Sequence, residues 1–164
     1  MVEKLKQTKP PSGFTRWLYR LPILLYRAGL GWMLGSRFLL LEHIGRVTGK
    51  RRQTVLEVVD SEPASGIFYV VAAWGERADW YQNIKSISEV SYQVGRRHFE
   101  GKARPLPQEE AEQVFLAYGH SHPRALQSLM RVLGYRIESN DQSYRALAEH
   151  LPVVKLSPDE GKGD

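Results

Sequence analysis

The sequence has no cysteine. Disulfides, thiolate nucleophiles, zinc fingers and iron–sulfur clusters are therefore excluded. It also has no H-E-x-x-H and no G-x-S-x-G, so the common zinc-protease and serine-hydrolase signatures are missing. A Walker A loop is absent: only three residues separate Gly45 from Gly49, and Arg51 rather than Ser or Thr follows Lys50. Gly29, Gly31 and Gly35 miss the dinucleotide fingerprint by one position and follow a helix-like stretch. No long apolar run is free of charge, because Arg20 and Arg27 fall inside any window of about 20 residues near the start. The opening MVEKLKQTKPPSG leads into no apolar signal core, so a cytoplasmic location is expected.

Acids are scarce in the first third. Residues 1–52 carry 11 Lys/Arg and only Glu3 and Glu42, a net of +9; residues 53–164 net −4. A chain that wraps nucleic acid would be basic throughout, so a local anionic partner is expected instead, and no nucleic acid. The remaining composition is ordinary for one globular domain: 164 residues, 42% apolar and 25% charged.

Along the chain, residues 1–13 read as a mobile Lys- and Pro-rich arm. In residues 14–36, Arg16, Arg20 and Arg27 fall within roughly 40° of one another on a helical wheel, opposite Trp17, Leu21 and Leu25. The spacing predicts an amphipathic helix that either covers the domain or lies at the inner face of a membrane. Strands are predicted over 37–44, 54–59 and 67–73, with DSEPASG as a turn between the last two. A short helix over 78–87, a hairpin of 90–94 with 98–103, helices from 107, over 123–134 and over 140–150, and a strand over 153–156 complete the order. Ser139 or Asn140 caps the last helix. The short early connections favour an antiparallel sheet or small barrel. The division expected is 1–36 as arm and helix, 37–156 as one domain, and 157–164 as a polar tail.

The densest feature is GRVTGKRR over 45–52. Two glycines let backbone N–H groups approach an anion, and Arg46, Lys50, Arg51 and Arg52 would neutralise it; a solvated hairpin turn is an equal reading. Trp74 to Asn83 places two Trp, a Tyr and an amide after a strand end, which would suit a flat heterocycle, although plain core packing fits better. His120-Ser-His122 has metal-ligand spacing but no acid nearby in sequence, so no metal site is expected.

In order, Gly45-Arg46-x-Thr48-Gly49-Lys50-x-Arg52, Trp80-Tyr81-x-Asn83 and Glu89 to Gly95 resemble the deazaflavin-dependent nitroreductase family. The resemblance runs from about Phe38 to Leu156. It implies an α+β fold, a mostly antiparallel split β-barrel of the FMN-binding-like kind, with the N-terminal helix and C-terminal helices around it. It implies that Arg46, Thr48, Gly49, Lys50 and Arg52 hold the phosphate and anionic tail of the cofactor F420. Ala72, Ala73, Trp74 and Gly75 would lie beside the deazaflavin ring, and Trp80 and Asn83 would close the site. The implied activity is hydride transfer from reduced F420 to an apolar acceptor such as a quinone or nitroaromatic. No catalytic side chain is expected, because the cofactor carries the chemistry. FMN on the same barrel, or a non-enzymatic binder of anionic lipid, are the alternatives; a homodimer and peripheral membrane contact are left open. The chain departs from the family's pattern in having Arg51 and Val55 where Pro is frequent.

Overall fold

The computed structural model describes residues 2–4, 28, 35, 37–132 and 134–160. The predicted amphipathic helix over 14–36 lies almost wholly outside them. Six strands form a closed antiparallel barrel: β2 (Phe38–Ile44), β3 (Arg51–Glu62), β4 (Ile67–Val71), β5 (Glu89–Val94), β6 (Arg97–Pro105) and β8 (Val153–Pro158). The order around the barrel is β2-β3-β4-β8-β6-β5. The split-barrel α+β expectation holds.

Alternation decides what faces inward. On β2, Leu39 and Leu41 point into the barrel core with Leu56 and Val58 of β3, Val70 of β4, Tyr92 of β5 and Leu156 of β8. The same alternation turns the consecutive Val58 and Val59 of β3 to opposite sides, just before an irregularity in the pairing with β4 between Val58 and Asp60. Val58 joins the barrel interior, and Val59 joins a second core outside it. That second core is built by α2 (Gln108–Ser121), α3 (Pro123–Val132) and α4 (Asp141–Leu147). Its centre is Phe115, Leu126, Met130, Leu147 and Leu151, against Val71 and Val153 of the barrel's outer face.

Helix α1 (Asp79–Ser86) crosses one end of the barrel. Trp80, Tyr81 and Ile84 are buried in the barrel core, as the helical spacing of this segment leads one to expect for a packing helix. The far end is filled by aromatics. Tyr92 stacks on Phe99 at 5.1 Å and meets Phe68 edge-on at 6.1 Å.

Several boundaries differ from the sequence reading: β3 runs Arg51–Glu62 rather than 54–59, taking in part of the expected turn, and β8 runs to Pro158, into the expected tail. β4 stops at Val71 rather than continuing to Ala73, because the Ala72 carbonyl accepts from the Gly75 N–H at 2.9 Å and closes a turn there. Residues 2–4, read as part of a mobile arm, form β1 (Val2–Lys4), antiparallel to β7 (Tyr135–Ile137). Three residues are too few for a strand period to show in sequence, and β7 supplies the pairing that a local reading cannot see. Helix α4 is capped by Asn140, whose side chain accepts from the Ser143 N–H at 2.8 Å.

Candidate functional site: a cationic loop at the barrel rim

The loop of residues 45–50 joins β2 to β3 at the end of the barrel that α1 closes. It is a tight, internally bonded turn. The Gly45 N–H donates to the Lys50 carbonyl at 2.8 Å, and the Gly49 N–H donates to the Gly45 carbonyl at 2.8 Å. Gly49 has φ +66°, a left-handed conformation that glycine adopts without strain. A Cβ on Gly45 would sit 2.8 Å from the Thr48 hydroxyl oxygen. Gly49 is thus favoured by its backbone conformation, and a side chain at Gly45 would displace the Thr48 hydroxyl. Val47, at its tip, is 88% exposed.

The four cations of this loop have different fates. Arg46 is tied down: its backbone N–H donates to the Asn83 side-chain oxygen at 3.1 Å, and its Nη1 donates to the same oxygen at 2.8 Å. Its Nη2 also pairs with Asp79 Oδ1 at 3.4 Å. Arg51 lies on the outer side of β3 and pairs with Glu42 at 3.3 Å. Among the described residues, Lys50 and Arg52 have no ion pair, and both are exposed. Strand alternation separates Arg51 from Arg52. Arg52 sits opposite His43 in the β2–β3 register, on the side that faces the barrel mouth.

His43 is 4% exposed. Its Nδ1 lies 3.1 Å from the Asn83 side-chain nitrogen. Burial first, and the Arg52 guanidinium second, hold its pKa at about 4, below the usual 6.5; Asp79 pulls weakly the other way. The imidazole is therefore neutral through the physiological range. Sequence inspection gives His43 no role. The available signal is its place in the alternation Leu39, Leu41, His43, which turns a histidine inward beside a basic turn.

The other predicted positions differ in burial. Ala72 is fully buried, Ala73 packs toward the helical layer, and Trp74 packs partly buried against the barrel core. Gly75 opens a one-turn 3-10 helix with φ +68°. Trp80 is 7% exposed and belongs to the core. Asn83 is 5% exposed, with its amide oxygen engaged by Arg46 and its nitrogen by His43. The structure joins Arg46 of the loop to Asp79 and Asn83 of α1, and it uses Trp80 and Asn83 inside the protein.

A groove of about 950 Å³ lies elsewhere, lined in part by Leu40, Gln53, Ser91, Gln93 and Arg97. Its charged lining is mixed, with Glu42, Glu100 and Asp159 beside Arg96 and Arg97, so it offers an anion no net positive charge. The cationic rim is the better candidate for an anionic ligand. His120 is paired with Asp141 at 2.6 Å, and no group of metal-ligating side chains occurs among the described residues.

Comparison with known proteins places this geometry in a family. The profile described as F420H(2)-dependent quinone reductase matches residues 24–129, more than half of the chain. The chain belongs to that family. It is accordingly an oxidoreductase that uses F420, and the FMN alternative is not needed. No curated protein matches the chain. Solved structures share the fold. One titled F420-H2 dependent reductase (FDR-A) is 23% identical, with 75% of this chain and 96% of that chain covered and a TM-score of 0.51. One described as a domain-swapped dimer is 20% identical, covering 83% and 99%, with a TM-score of 0.51. The haem storage protein HutZ from Vibrio cholerae is 15% identical, covering 84% and 92%, also with a TM-score of 0.51. The F420-reductase family needs a place for a flat ring on an anionic tail. The loop and the start of β3 fit it in charge: Lys50 and Arg52 are exposed and have no ion pair among the described residues.

Proposed function

We propose that this chain reduces an apolar two-electron acceptor, a quinone or a nitroaromatic, with F420H2, and that the rim at residues 45–52 and 72–75 holds the cofactor. When bound and reduced, F420 supplies the hydride. Lys50 and Arg52 would hold the anionic tail, and the exposed Thr48 hydroxyl, whose oxygen accepts from the Lys50 N–H, would donate to a phosphate oxygen. Arg46 serves the same site indirectly, by fastening the loop to α1. Ala72 to Gly75 would form the wall for the ring. The carrying observation is that the Arg46 and Arg51 side chains pair with carboxylates, while Lys50 and Arg52, within the same stretch 45–52, have no ion pair among the described residues.

Titration of F420 into wild type and a Lys50→Ala/Arg52→Ala variant tests the tail site. A charge-assisted hydrogen bond is worth about 1.5–3 kcal/mol, so affinity should fall at least about tenfold. The unfolding midpoint should move by less than about 3 °C, since neither side chain is buried. Equal affinity in the two proteins would reject the tail site. Oxidation of F420H2, followed by absorbance with a quinone and separately with a nitroaromatic, identifies the acceptor class.

The basic spacing of Arg16, Arg20 and Arg27 supports a further reading, contact between residues 14–36 and anionic phospholipid. Co-sedimentation with anionic and with neutral vesicles tests it; failure to pellet with either removes it. No helix among the described residues is long and apolar enough to cross a membrane. A homodimer is tested by light scattering on the full chain.

A further inference from the structure

The Asn83 amide determines the state of a buried histidine. Its oxygen accepts from two donors of Arg46, the backbone N–H at 3.1 Å and Nη1 at 2.8 Å. Neither donor can accept, so this atom must be the oxygen and the opposite one the NH2 group. The NH2 group lies 3.1 Å from His43 Nδ1. An NH2 group only donates, so Nδ1 must carry a lone pair and the ring proton must sit on Nε2. Flipping the amide would set NH2 against the Arg46 N–H and guanidinium, and the carbonyl against His43.

We propose that His43 is a positioning residue: by accepting at Nδ1 from Asn83, it locks the amide orientation that anchors Arg46, and with it the cationic loop. The chain of contacts runs from a strand inside the barrel, through α1, to the first residue after Gly45. It explains why an inward strand position among leucines holds a histidine. Leucine could fill the space but could not accept a hydrogen bond. The link to cofactor binding rests on the tail-site reading above; the anchoring of Arg46 does not.

Two measurements on the full chain decide the anchoring. In nitrogen-15 spectra of the histidine ring at neutral pH, His43 should show an unprotonated Nδ1 and a protonated Nε2. The Arg46 amide, bonded to a side chain rather than to a strand, reports the brace through hydrogen exchange. Its exchange should quicken by about tenfold in His43→Leu, the effect of losing one buried hydrogen bond. It should return to within about threefold of wild type in His43→Asn, whose amide oxygen can replace Nδ1 as acceptor. A protonated Nδ1, unchanged exchange in His43→Leu, or equally fast exchange in both variants would overturn the proposal. The ring spectrum needs only wild type, so it decides even if His43→Leu fails to fold. Titration of F420 then separates the two readings: faster Arg46 exchange in His43→Leu with unchanged F420 affinity upholds the positioning role and rejects the tail site.

Discussion

Tyr92 buries a phenol at the far end of the barrel, and its hydroxyl donates to the Gly66 carbonyl at 2.6 Å. Burial raises its pKa, so the hydroxyl remains a donor through the neutral range. Tyr92→Phe would leave that carbonyl without its partner and should cost about 1–3 kcal/mol in urea unfolding. A loss below about 0.5 kcal/mol would show that water takes over the bond. His43 sets a pH dependence with a definite sign. Between pH 6.5 and about 4 the unfolded chain binds a proton there that the native chain does not. Stability should therefore fall as pH falls through that interval, by a few kcal/mol at most, on the order of the 1.4 kcal/mol per unit set by linkage. Glu57 works the other way. Burial raises its pKa despite the Arg37 ion pair at 3.4 Å, so its share is present at low pH and is lost as pH rises. Urea unfolding of wild type and His43→Asn at several pH values isolates the histidine, since the variant should lack its part of the slope.

Helix α1 is the element on which the rim depends. One face supplies Trp80, Tyr81 and Ile84 to the barrel core, while Asp79 and Asn83 hold the loop. Ile84 is 1% exposed, and Ile84→Ala should cost about 2–5 kcal/mol in global stability. A variant that loses less than about 1 kcal/mol would mean that the barrel end collapses around the gap. The helix was legible in sequence because Trp80, Ile84 and Ile87 recur at helical spacing. The strands were legible for the same kind of reason, as apolar runs bounded by Gly and Pro. Of the loop, the residue types and spacing were visible, but the difference between its cations was not. Arg51 and Arg52 are neighbours in sequence and are distinguished only by the β2–β3 register, which gives one to Glu42 and the other to the His43 side. Asn83 looked like an open amide because a sequence cannot show that Arg46 and His43, 37 and 40 residues away, use both of its ends.

For the whole molecule, the uneven charge becomes a matter of address. Lys50 and Arg52 stand exposed where β2 turns into β3, so long-range attraction would draw an anion toward that end. Raising salt from about 0.05 to 0.5 M shortens the Debye length and should weaken F420 binding severalfold, measured by the same titration. Salt-independent affinity would mean that ring contacts dominate instead. The plugged barrel has a further consequence, for how change is tolerated. Helix α1 fills one end and Phe68, Tyr92 and Phe99 fill the other, so inward residues answer to packing, and on the proposed reading the exposed cations of the loop answer to the cofactor. Substitutions at the two sets should then combine as independent free energies. Tyr92→Phe added to Lys50→Ala/Arg52→Ala should lower stability as it does alone and leave cofactor affinity where the double variant set it. The scaffold should then be open to hardening or softening without retuning cofactor binding, and among the described residues the two requirements meet where His43 and Asn83 brace the loop.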